Sequence, residues 1–565
     1  MRRRISTVVI TAMAAAASLS LVHPAGALAQ EPGQVTGLNA VQAEGFVTLS
    51  WSPVQGATDY QIERTPVDAA DQLTGDPAIV GLWQPTRTVR PDAPTFADSG
   101  FLLGERFRWR VRARSETMEQ PYSEPVFGTT QPQWGVGPGA SMRTQFEQTN
   151  GGSYTSDLNE YAYTAALDQA SERVRVVEIG RTLQGRPINM LIFGNPGPLP
   201  SAARISASPT VLLQCHVHGN EPSMRESCLI LARELAFTDD PDLLDIMSRV
   251  TILMVPTLNG DGRAANTRGS STGQDLNRDH SLLREPETKA LAVVLRDYTP
   301  DVAVDGHNGD SEDLPVLGPR HLNVYEGIYA EAKERLIESR IYDNAAAAGW
   351  WAGPYSNGGA SQETILRNTF GLKSIVGILS ENRGLAGVTR PNATAAANEN
   401  RKSYAQLWLI KQLLDYHRDN LPAIQRLITE SIAFQRANEG RVVFRGAYPW
   451  PPFPPLLSAP DVDAPAPDMI LEDPPCGYFL TAEQFSGARP AGTVERRLRL
   501  HGIAAERAPG YVAGGNGYLV RMTQPLRGLI PLLLDAQAAE PMVDGVRLYE
   551  FSPSPNAPQV CGREA

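Results

Sequence analysis

The chain has 565 residues, of which 42% are hydrophobic and 20% are charged, and its formal net charge is −11. This length predicts roughly three or four domains rather than one, and the composition is that of a soluble globular protein with enough apolar content to bury a core. The acidic balance argues against nucleic acid or an anionic lipid surface as the main partner.

The first 29 residues have the features of a secretory signal peptide. Three arginines at positions 2–4 precede an apolar stretch over residues 5–22, and Ala27-Leu28-Ala29 forms a small-residue cleavage site. The alternative, a membrane anchor, fits less well because the apolar stretch is short and interrupted by Ser and Thr. We therefore expect an exported protein, periplasmic or extracellular, whose mature chain does not span a membrane.

Residues 32–130 alternate short period-2 runs with turn signals, which is typical of a β-sandwich. The clearest runs are VTLSW, DYQIER and FRWRVRA, which begin at residues 47, 59 and 107. Their order, with Trp51 ending one strand and Tyr60 on the next, resembles a fibronectin type III domain. Phe107 stands where that family usually has a tyrosine whose hydroxyl ties down a corner. We expect a structural spacer, and the alternative is a carbohydrate or protein contact.

After a Gly- and Pro-rich linker at residues 131–150, strand-like and helix-like segments alternate to about residue 440. This alternation predicts an α/β sheet with helices on both faces. The strand candidates are residues 175–180, 188–194, 209–217, 250–257, 301–307 and 373–382, and the helix candidates are 226–237, 287–298, 331–348 and 393–438.

The C-terminal part begins with a proline-rich connector at residues 449–475. Residues 476–565 contain alternating pieces, such as 493–503 and 518–522, which predict a small β-rich module. The sequence favours a disulfide between Cys476 and Cys561, since both lie in this region. In an exported chain the four cysteines could form two disulfides, with three possible connectivities. Cys215 and Cys228 could instead be buried thiols, the commoner role of a lone cysteine on a strand or helix.

A metal-ligand spacing follows the strand candidate at residues 209–217. His218 and Glu221 lie three residues apart across a turn that precedes a helix expected near Ser223. Both side chains can point into the crevice beyond the carboxyl ends of the strands, where open α/β sheets bind ligands. An isolated H-x-x-E is frequent by chance, so its weight depends on partners elsewhere in the chain.

Such partners follow three later strand candidates. The strand at 250–257 leads into a loop with several polar residues, the strand at 301–307 ends in His307, and the strand at 373–382 carries Glu381 near its end. Two His and one Glu would give zinc three protein ligands and leave a fourth position open to water, with a separate carboxylate as the base. The polar residues of the loop are Arg263, Arg268, Asp275, Asn277 and Arg278.

Together these motifs resemble the zinc carboxypeptidase family, peptidase family M14, over roughly residues 150–440. They are HGNE at 218–221, NGDG at 259–262, Arg268, DLNR at 275–278, D-x-H at 305–307 and Glu381. The resemblance implies a mixed sheet with helices on both faces. It also implies one Zn²⁺ per chain, bound by His218, Glu221 and His307.

The resemblance further implies a role for each remaining residue. Glu381 would take a proton from the attacking water and pass it to the leaving amine, and Arg268 would stabilise the oxyanion. Asp275 would accept a hydrogen bond from a ligand histidine. The substrate would be held by Asn277 and Arg278 at its terminal carboxylate, and by Tyr355, which resembles the mobile tyrosine that caps the substrate.

Two departures and three rival residues accompany this assignment. Gly260 replaces the usual proline of N-P-D-G, which should alter only a turn, and Asn308-Gly309-Asp310 replaces the Ser-Tyr of digestive members, which leaves the subsite contacts open. His216 and Asp310 are possible alternative ligands, although we interpret His216 as a core or supporting histidine. Arg263 competes with Arg268 for the oxyanion role.

The sequence therefore predicts an exported metallocarboxypeptidase that removes the C-terminal residue of peptides. One alternative within the family is a hydrolase of peptidoglycan stem peptides. An alternative from another class is a non-catalytic protein that binds peptides or glycans. The complete set of His218, Glu221, His307 and Glu381 argues against the latter, because a binding protein does not need a base beside a metal.

Overall fold

The structure is a computed structural model that describes residues 33–85, 90–99, 101–116, 118–129, 138–309, 313–354, 359–382, 394–450, 464–512 and 515–549. The predicted signal peptide, Asp310, Tyr355 and Cys561 lie outside these residues, as do residues 451–463 of the proline-rich connector. Across the described ranges, no helix combines the length and the apolar character that crossing a membrane requires.

The N-terminal sandwich (residues 33–129) consists of two antiparallel sheets with strand orders β1-β2-β5 and β4-β3-β6-β7. A β-sandwich was predicted here and is confirmed. Alternate residues of β6 are buried because successive side chains of a strand point to opposite faces. The strands are β1 Asn39–Ala43, β2 Phe46–Ser50, β3 Asp59–Pro66, β4 Ala78–Trp83, β5 Thr95–Asp98, β6 Arg106–Arg114 and β7 Val126–Thr129.

The central domain (residues 138–450) contains the predicted alternation of helices and strands. A π-helical segment, Glu331–Tyr342, precedes α9, and part of the predicted linker forms a 3₁₀ turn at Pro138–Ser141. The elements are α1 Gln145–Gln148, α2 Asp157–Ala170, β8 Val174–Arg181, β9 Pro187–Phe193, α3 Ala202–Ile205, β10 Thr210–Gln214, α4 Ser223–Phe237, α5 Pro241–Arg249, β11 Thr251–Val255, α6 Gly260–Ala265, α7 Pro286–Asp297, β12 Val302–Gly306, β13 Leu314–Leu317, α8 Glu326–Ala330, α9 Asp343–Ala348, β14 Ala352–Gly353, α10 Leu366–Leu372, β15 Val376–Ser380, α11 Ala395–Ala437 and β16 Val442–Val443.

Eight of these strands form one mixed sheet in the order β14-β13-β15-β12-β10-β11-β9-β8. Its middle four strands, β15, β12, β10 and β11, run parallel to one another. Each is a run of five fully buried residues, as expected for parallel strands covered on both faces. The residues that follow these four strands therefore emerge at one edge of the sheet.

Helices cover both faces of this sheet, which confirms the predicted α/β fold. Successive residues of β10 show the division: Val211 and Leu213 pack in a core with α4 and α11, whereas Leu212 packs in a second core with α7 and α10. Close packing on both sides holds the strand ends in place, and the site is built there.

The N-terminal sandwich packs against the central domain through strands β2 and β5 and the β1–β2 turn. The Ala97 amide donates to the Gly349 carbonyl at 2.8 Å, and the Thr48 hydroxyl donates to the Ala348 carbonyl at 2.9 Å. At the turn, a Cβ atom on Gly45 would lie 2.1 Å from the Tyr404 ring of α11. Only glycine permits this approach of the turn to the helix.

The C-terminal module (residues 464–549) contains an antiparallel sheet in the order β19-β20-β18-β21. Residues 493–503, predicted as an alternating β piece, instead contain a helix, so that prediction was wrong. The buried face of this helix includes Arg497 and His501, whose polarity hides the helical period in the sequence. The elements are β17 Ile470–Leu471, β18 Gly477–Thr481, α12 Ala482–Ser486, α13 Val494–His501, β19 Glu506–Val512, β20 Gly515–Arg521, α14 Ile530–Leu534 and β21 Val546–Leu548.

Cys215 and Cys228 form a disulfide, so the alternative in which they are buried thiols was wrong. Cys215 directly follows β10 and Cys228 lies on α4, and the strand-turn-helix connection brings their Cα atoms to 6.5 Å. Sequence separation alone does not reveal this approach, because it depends on how α4 folds back over the strand. Cys476 is also disulfide-bonded, and Cys561, its predicted partner, lies outside the described residues.

Candidate metal centre

The predicted site residues lie at the carboxyl edge of the four parallel strands. His218 and Glu221 follow β10, His307 directly follows Gly306 of β12, and Glu381 directly follows Ser380 of β15. The loop after β11 supplies the residues from 258 to 278. The sheet order thus collects in one place residues that are up to 163 positions apart in the chain.

The turn that carries His218 and Glu221 packs backbone to backbone against the loop after β11. A Cβ atom on Gly219 would lie 2.0 Å from the Gly262 carbonyl carbon and 2.3 Å from the Arg263 nitrogen. Asn259 secures the same loop by accepting a hydrogen bond from the Gly262 amide at 2.9 Å. Gly219 of HGNE is therefore required by the contact between these two motifs.

His218, Glu221 and His307 converge and could hold a metal ion. His218 Nδ1 lies 2.9 Å from Glu221 Oε2, and His307 Nδ1 lies 3.0 Å from each of these two atoms. A triangle with such sides has points above its plane that are about 2 Å from all three corners, the distance at which zinc binds histidine and carboxylate. Two imidazoles and one carboxylate, with one side left open, are also the donor set of a catalytic zinc site.

A carboxylate contacts the outer ring nitrogen, Nε2, of each histidine. His218 Nε2 lies 2.9 Å from Asp275 Oδ1, and His307 Nε2 lies 2.9 Å from Asp305 Oδ2. When the outer nitrogen donates to a carboxylate, Nδ1 keeps its lone pair for a metal. The sequence predicted that Asp275 accepts a hydrogen bond from a ligand histidine, and in the structure its neighbour is His218. Asp305 was missed, although the D-x-H spacing places it on the same side of β12 as His307.

The electrostatics of the centre favour ionised carboxylates. Burial alone would raise the pKa of Glu221 and of Asp275, but the hydrogen bonds from the histidines hold both pKa values below their usual range. Arg268 adds positive charge, since its Nη1 lies 2.8 Å from Glu221 Oε1 and its Nε lies 3.1 Å from Asp275 Oδ2. The Arg268 side chain is 48% exposed, so it reaches the centre from the solvent side.

Glu381 lies beside the triad, where it faces both histidines and Glu221. Burial raises the pKa of Glu381, and the charge on Glu221 acts in the same direction while His307 opposes it. Its amide donates to the Pro315 carbonyl at 2.8 Å. A Cβ atom on Gly309 would lie 2.1 Å from Glu381 Oε2, so a larger residue at position 309 would displace this carboxylate.

Asn277 and Arg278 differ in how their side chains are used. Asn277 is buried: its Nδ2 donates to Asp305 at 3.2 Å and its Oδ1 accepts from the Leu366 amide at 2.8 Å. The Arg278 guanidinium donates from Nη1 to the Asn277 carbonyl at 2.8 Å. Among the residues that the structure describes, no carboxylate pairs with Arg278. This guanidinium is therefore available to an anion.

The two rival residues within the described ranges lie outside the triad. Arg263 is largely buried and donates from Nη2 to the Thr155 carbonyl at 3.3 Å. His216 is fully buried, and neither ring nitrogen has a hydrogen-bond partner within the described part of the chain. Burial, with the neighbouring charges of Arg225 and Arg263, holds the pKa of His216 well below its usual value. It is thus a neutral core histidine.

Residues 160–290 match the family model described as peptidase M14, zinc carboxypeptidase. This range includes His218, Glu221 and Asp275, while His307 and Glu381 lie beyond it. Carboxypeptidase 2 of Trichophyton equinum is 28% identical over 247 residues, which are 39% of this chain and 44% of that protein. Carboxypeptidase SOL1 of Arabidopsis thaliana is 32% identical over 171 residues, which are 28% of this chain and 34% of that protein.

Solved structures with related folds include a metallo-carboxypeptidase from Burkholderia cenocepacia. It is 21% identical, with a TM-score of 0.37, and the match covers 46% of this chain and 69% of that one. The chain spans less than half the length of the curated relatives it matches. The residues matched by the family model lie within the central domain.

Proposed function

We propose that this chain, which contains a zinc carboxypeptidase domain of peptidase family M14, is an exported metallocarboxypeptidase that hydrolyses the C-terminal bond of peptides. One observation carries the proposal: a triad that fits a metal, a half-buried carboxylate and a guanidinium without a carboxylate partner among the described residues lie together at one sheet edge. The first two are what hydrolysis of a peptide bond needs, and the third recognises a free chain end.

His218, Glu221 and His307 would hold one zinc ion per chain. When bound, the ion would supply a Lewis acid for the scissile carbonyl and lower the pKa of water. Glu381 accepts the proton of the attacking water and returns it to the leaving amine nitrogen. Its burial suits both steps, because a raised pKa brings a carboxyl group closer to the pH at which it must both accept and release a proton.

The two arginines act on different parts of the substrate. Arg268 reaches the centre from the solvent side, and there it would donate to the carbonyl oxygen as negative charge develops. Arg278 would bind the terminal carboxylate through its planar guanidinium. Because the Asn277 amide is already bonded to Asp305 and Leu366, we assign Asn277 to the support of His307. The capping role of Tyr355 stays a prediction.

The disulfides support export of the protein. Cys215 and Cys228 are bonded to each other, and Cys476 is also disulfide-bonded. Disulfides persist in oxidising compartments and are rare in the cytosol. We also assign the N-terminal sandwich, with three strands in one sheet and four in the other, to the fibronectin type III class, and we propose that it acts as a structural spacer.

The test uses the purified full chain, its metal content and a library of peptides with free C-termini. We expect one zinc per chain and the release of single C-terminal residues, detected by mass spectrometry. Chelation should abolish this activity while circular dichroism shows that the fold is kept, since a large α/β core does not depend on the metal. Full activity after exhaustive chelation, or cleavage within the peptides, would refute the proposal.

A further inference from the structure

The loop that follows Arg278 has an unusual backbone and is held from two sides. On the inner side, the Asp279 carboxylate accepts hydrogen bonds from the amides of Arg284 and Glu285 at 2.8 and 2.9 Å, and from the Thr288 hydroxyl at 2.6 Å. Leu283 is fully buried with φ at +53°, a conformation that a branched side chain rarely adopts. The surrounding contacts must hold the loop in this conformation.

On the outer side, helix α13 of the C-terminal module bonds two consecutive carbonyls of the loop. His501 Nε2 donates to the Ser281 carbonyl at 2.8 Å, and Arg497 Nη1 donates to the Leu282 carbonyl at 3.1 Å. Both side chains are buried, with 2% and 5% of their surfaces exposed. Hydrogen bonds in such a place are costly to lose, because each carbonyl would be left buried without a donor.

Helix α13 is itself fixed to the central domain at its C-terminal end. Lys373 Nζ donates to the His501 carbonyl at 3.0 Å, and Arg296 Nη1 donates to the Arg499 carbonyl at 3.1 Å. Cations at the end of a helix satisfy its last carbonyls and interact favourably with its dipole. The helix is therefore anchored on α7 and on the residue after α10, independently of the loop.

We propose that Arg497 and His501 are positioning residues that hold the loop after Arg278, so that the guanidinium meets the terminal carboxylate of the substrate. This inference rests on the proposed function and deepens it, since it gives the C-terminal module a role in recognising the chain end. The module acts through backbone carbonyls and does not itself touch the substrate.

The test compares Arg497→Ala and His501→Ala with the unchanged full chain on a peptide acid and on its C-terminal amide. We expect each variant to reduce the preference for the acid roughly tenfold, because a small displacement of a binding group has effects of this size. The loss should appear mainly as a higher KM for the acid. Arg497→Lys keeps one donor and should restore part of the preference. Arg499→Ala, on the exposed face of α13, is the matched control and should behave as wild type.

A purely structural role predicts another pattern, in which less folded enzyme lowers kcat on both substrates and leaves their ratio unchanged. That result would overturn the proposal while leaving the carboxypeptidase intact. Hydrogen–deuterium exchange gives a readout that does not need activity. The Leu282 and Leu283 amides, which donate to the Asp279 carbonyl, should exchange faster in Arg497→Ala than in Arg499→Ala. Unchanged exchange would also overturn the proposal, even if the wild type cleaved no peptide and the proposed function itself had failed.

Discussion

Asp305 Oδ2 lies 2.9 Å from His307 Nε2, and both residues are on the same side of strand β12. Because Nδ1 of His307 faces Glu221 and His218, this contact decides which ring nitrogen is left for a metal. Asn277 donates to the same carboxylate, so the aspartate is itself held in place.

Asp305→Ala should weaken metal binding about 10- to 100-fold, because His307 would lose the acceptor that orients its ring. The dissociation constant can be measured by competition with a chromogenic chelator. Asp305→Asn keeps the shape of the side chain, and its metal affinity should lie between those of the wild type and Asp305→Ala. Asp245→Ala, which removes a half-exposed carboxylate of α5 that pairs with Arg249, is the control and should bind metal as wild type does. An unchanged affinity in Asp305→Ala would show that the contact is incidental.

Glu381→Gln should lower turnover by about 100-fold or more while metal content stays at one ion per chain, because the amide cannot accept a proton. Glutamine has the shape of glutamate and should keep the contact with Gly309. Steady-state kinetics and elemental analysis on the same preparation provide the measurement. Loss of the metal in this variant would mean that Glu381 is a ligand, and the assignment as base would be wrong.

Amidation of the substrate's C-terminus should reduce kcat/KM about thirtyfold or more, since Arg278 would be left without its anion, at about 2 to 5 kcal/mol. Arg278→Ala should cause a similar loss on the acid and little further loss on the amide, because the partner is already gone. Arg249→Ala, at an exposed position of α5, is the control. Equal rates on acid and amide in the wild type would indicate an endopeptidase or amidase cleft.

Gly219→Ala should destabilise the site by about 3 kcal/mol, because the new methyl group would overlap the backbone at Gly262 and Arg263. The turn must then move, and with it His218 and Glu221. A lower melting temperature and a weaker metal affinity are both expected. Gly260→Ala in the neighbouring loop is the control: its Cβ would meet only side-chain atoms at 3.4 and 3.5 Å. Equal melting temperatures for the two variants would show that the Gly219 turn has room for a methyl group beside the loop backbone.

Glu44 should make stability depend on pH. Lys411 Nζ lies 3.1 Å from Glu44 Oε2 and 2.9 Å from Glu234 Oε2, so two carboxylates share one cation. Burial, with the charge on Glu234, raises the pKa of Glu44 from 4.5 to about 8. Between these values the folded protein keeps a proton that the unfolded chain has released. Stability therefore falls as the pH rises through this window, by up to about 1.4 kcal/mol per pH unit.

Glu44→Gln should remove this part of the pH dependence, because the amide stays neutral. Melting temperatures at about pH 5 and about pH 8 test it: the variant should lose less than the wild type as the pH rises. Glu430→Gln, at an exposed position of α11, should follow the wild type. Parallel curves for wild type and Glu44→Gln would contradict the assignment.

The sequence predicted secondary structure well wherever hydrophobic residues followed one clear pattern. The parallel strands β10 and β12 were predicted because each contains a run of apolar residues, at 211–213 and 302–304, and the predicted ligands lie in the segments that follow them. Helix α13 was missed because its buried face carries Arg497 and His501, which look like surface residues until the loop they bind is known. The same holds for Cys215 and Cys228, since their approach depends on tertiary packing. Asp305 could have been predicted as the partner of His307, because the D-x-H spacing places both side chains on the same side of the strand.

Helix α11 constrains how the length of this chain can vary. It runs for 43 residues, about 65 Å. Along its length it forms hydrogen bonds with the N-terminal sandwich, the central domain and the C-terminal module. Arg401 donates to the Ala97 carbonyl of the sandwich, Gln406 to the His307 carbonyl, and Gln435 accepts from the Gly528 amide of the C-terminal module. Inserting one residue between the second and third contacts would rotate the remainder of the helix by about 100° and advance it 1.5 Å. Insertions and deletions in related sequences should therefore fall in the surface loops and avoid this helix.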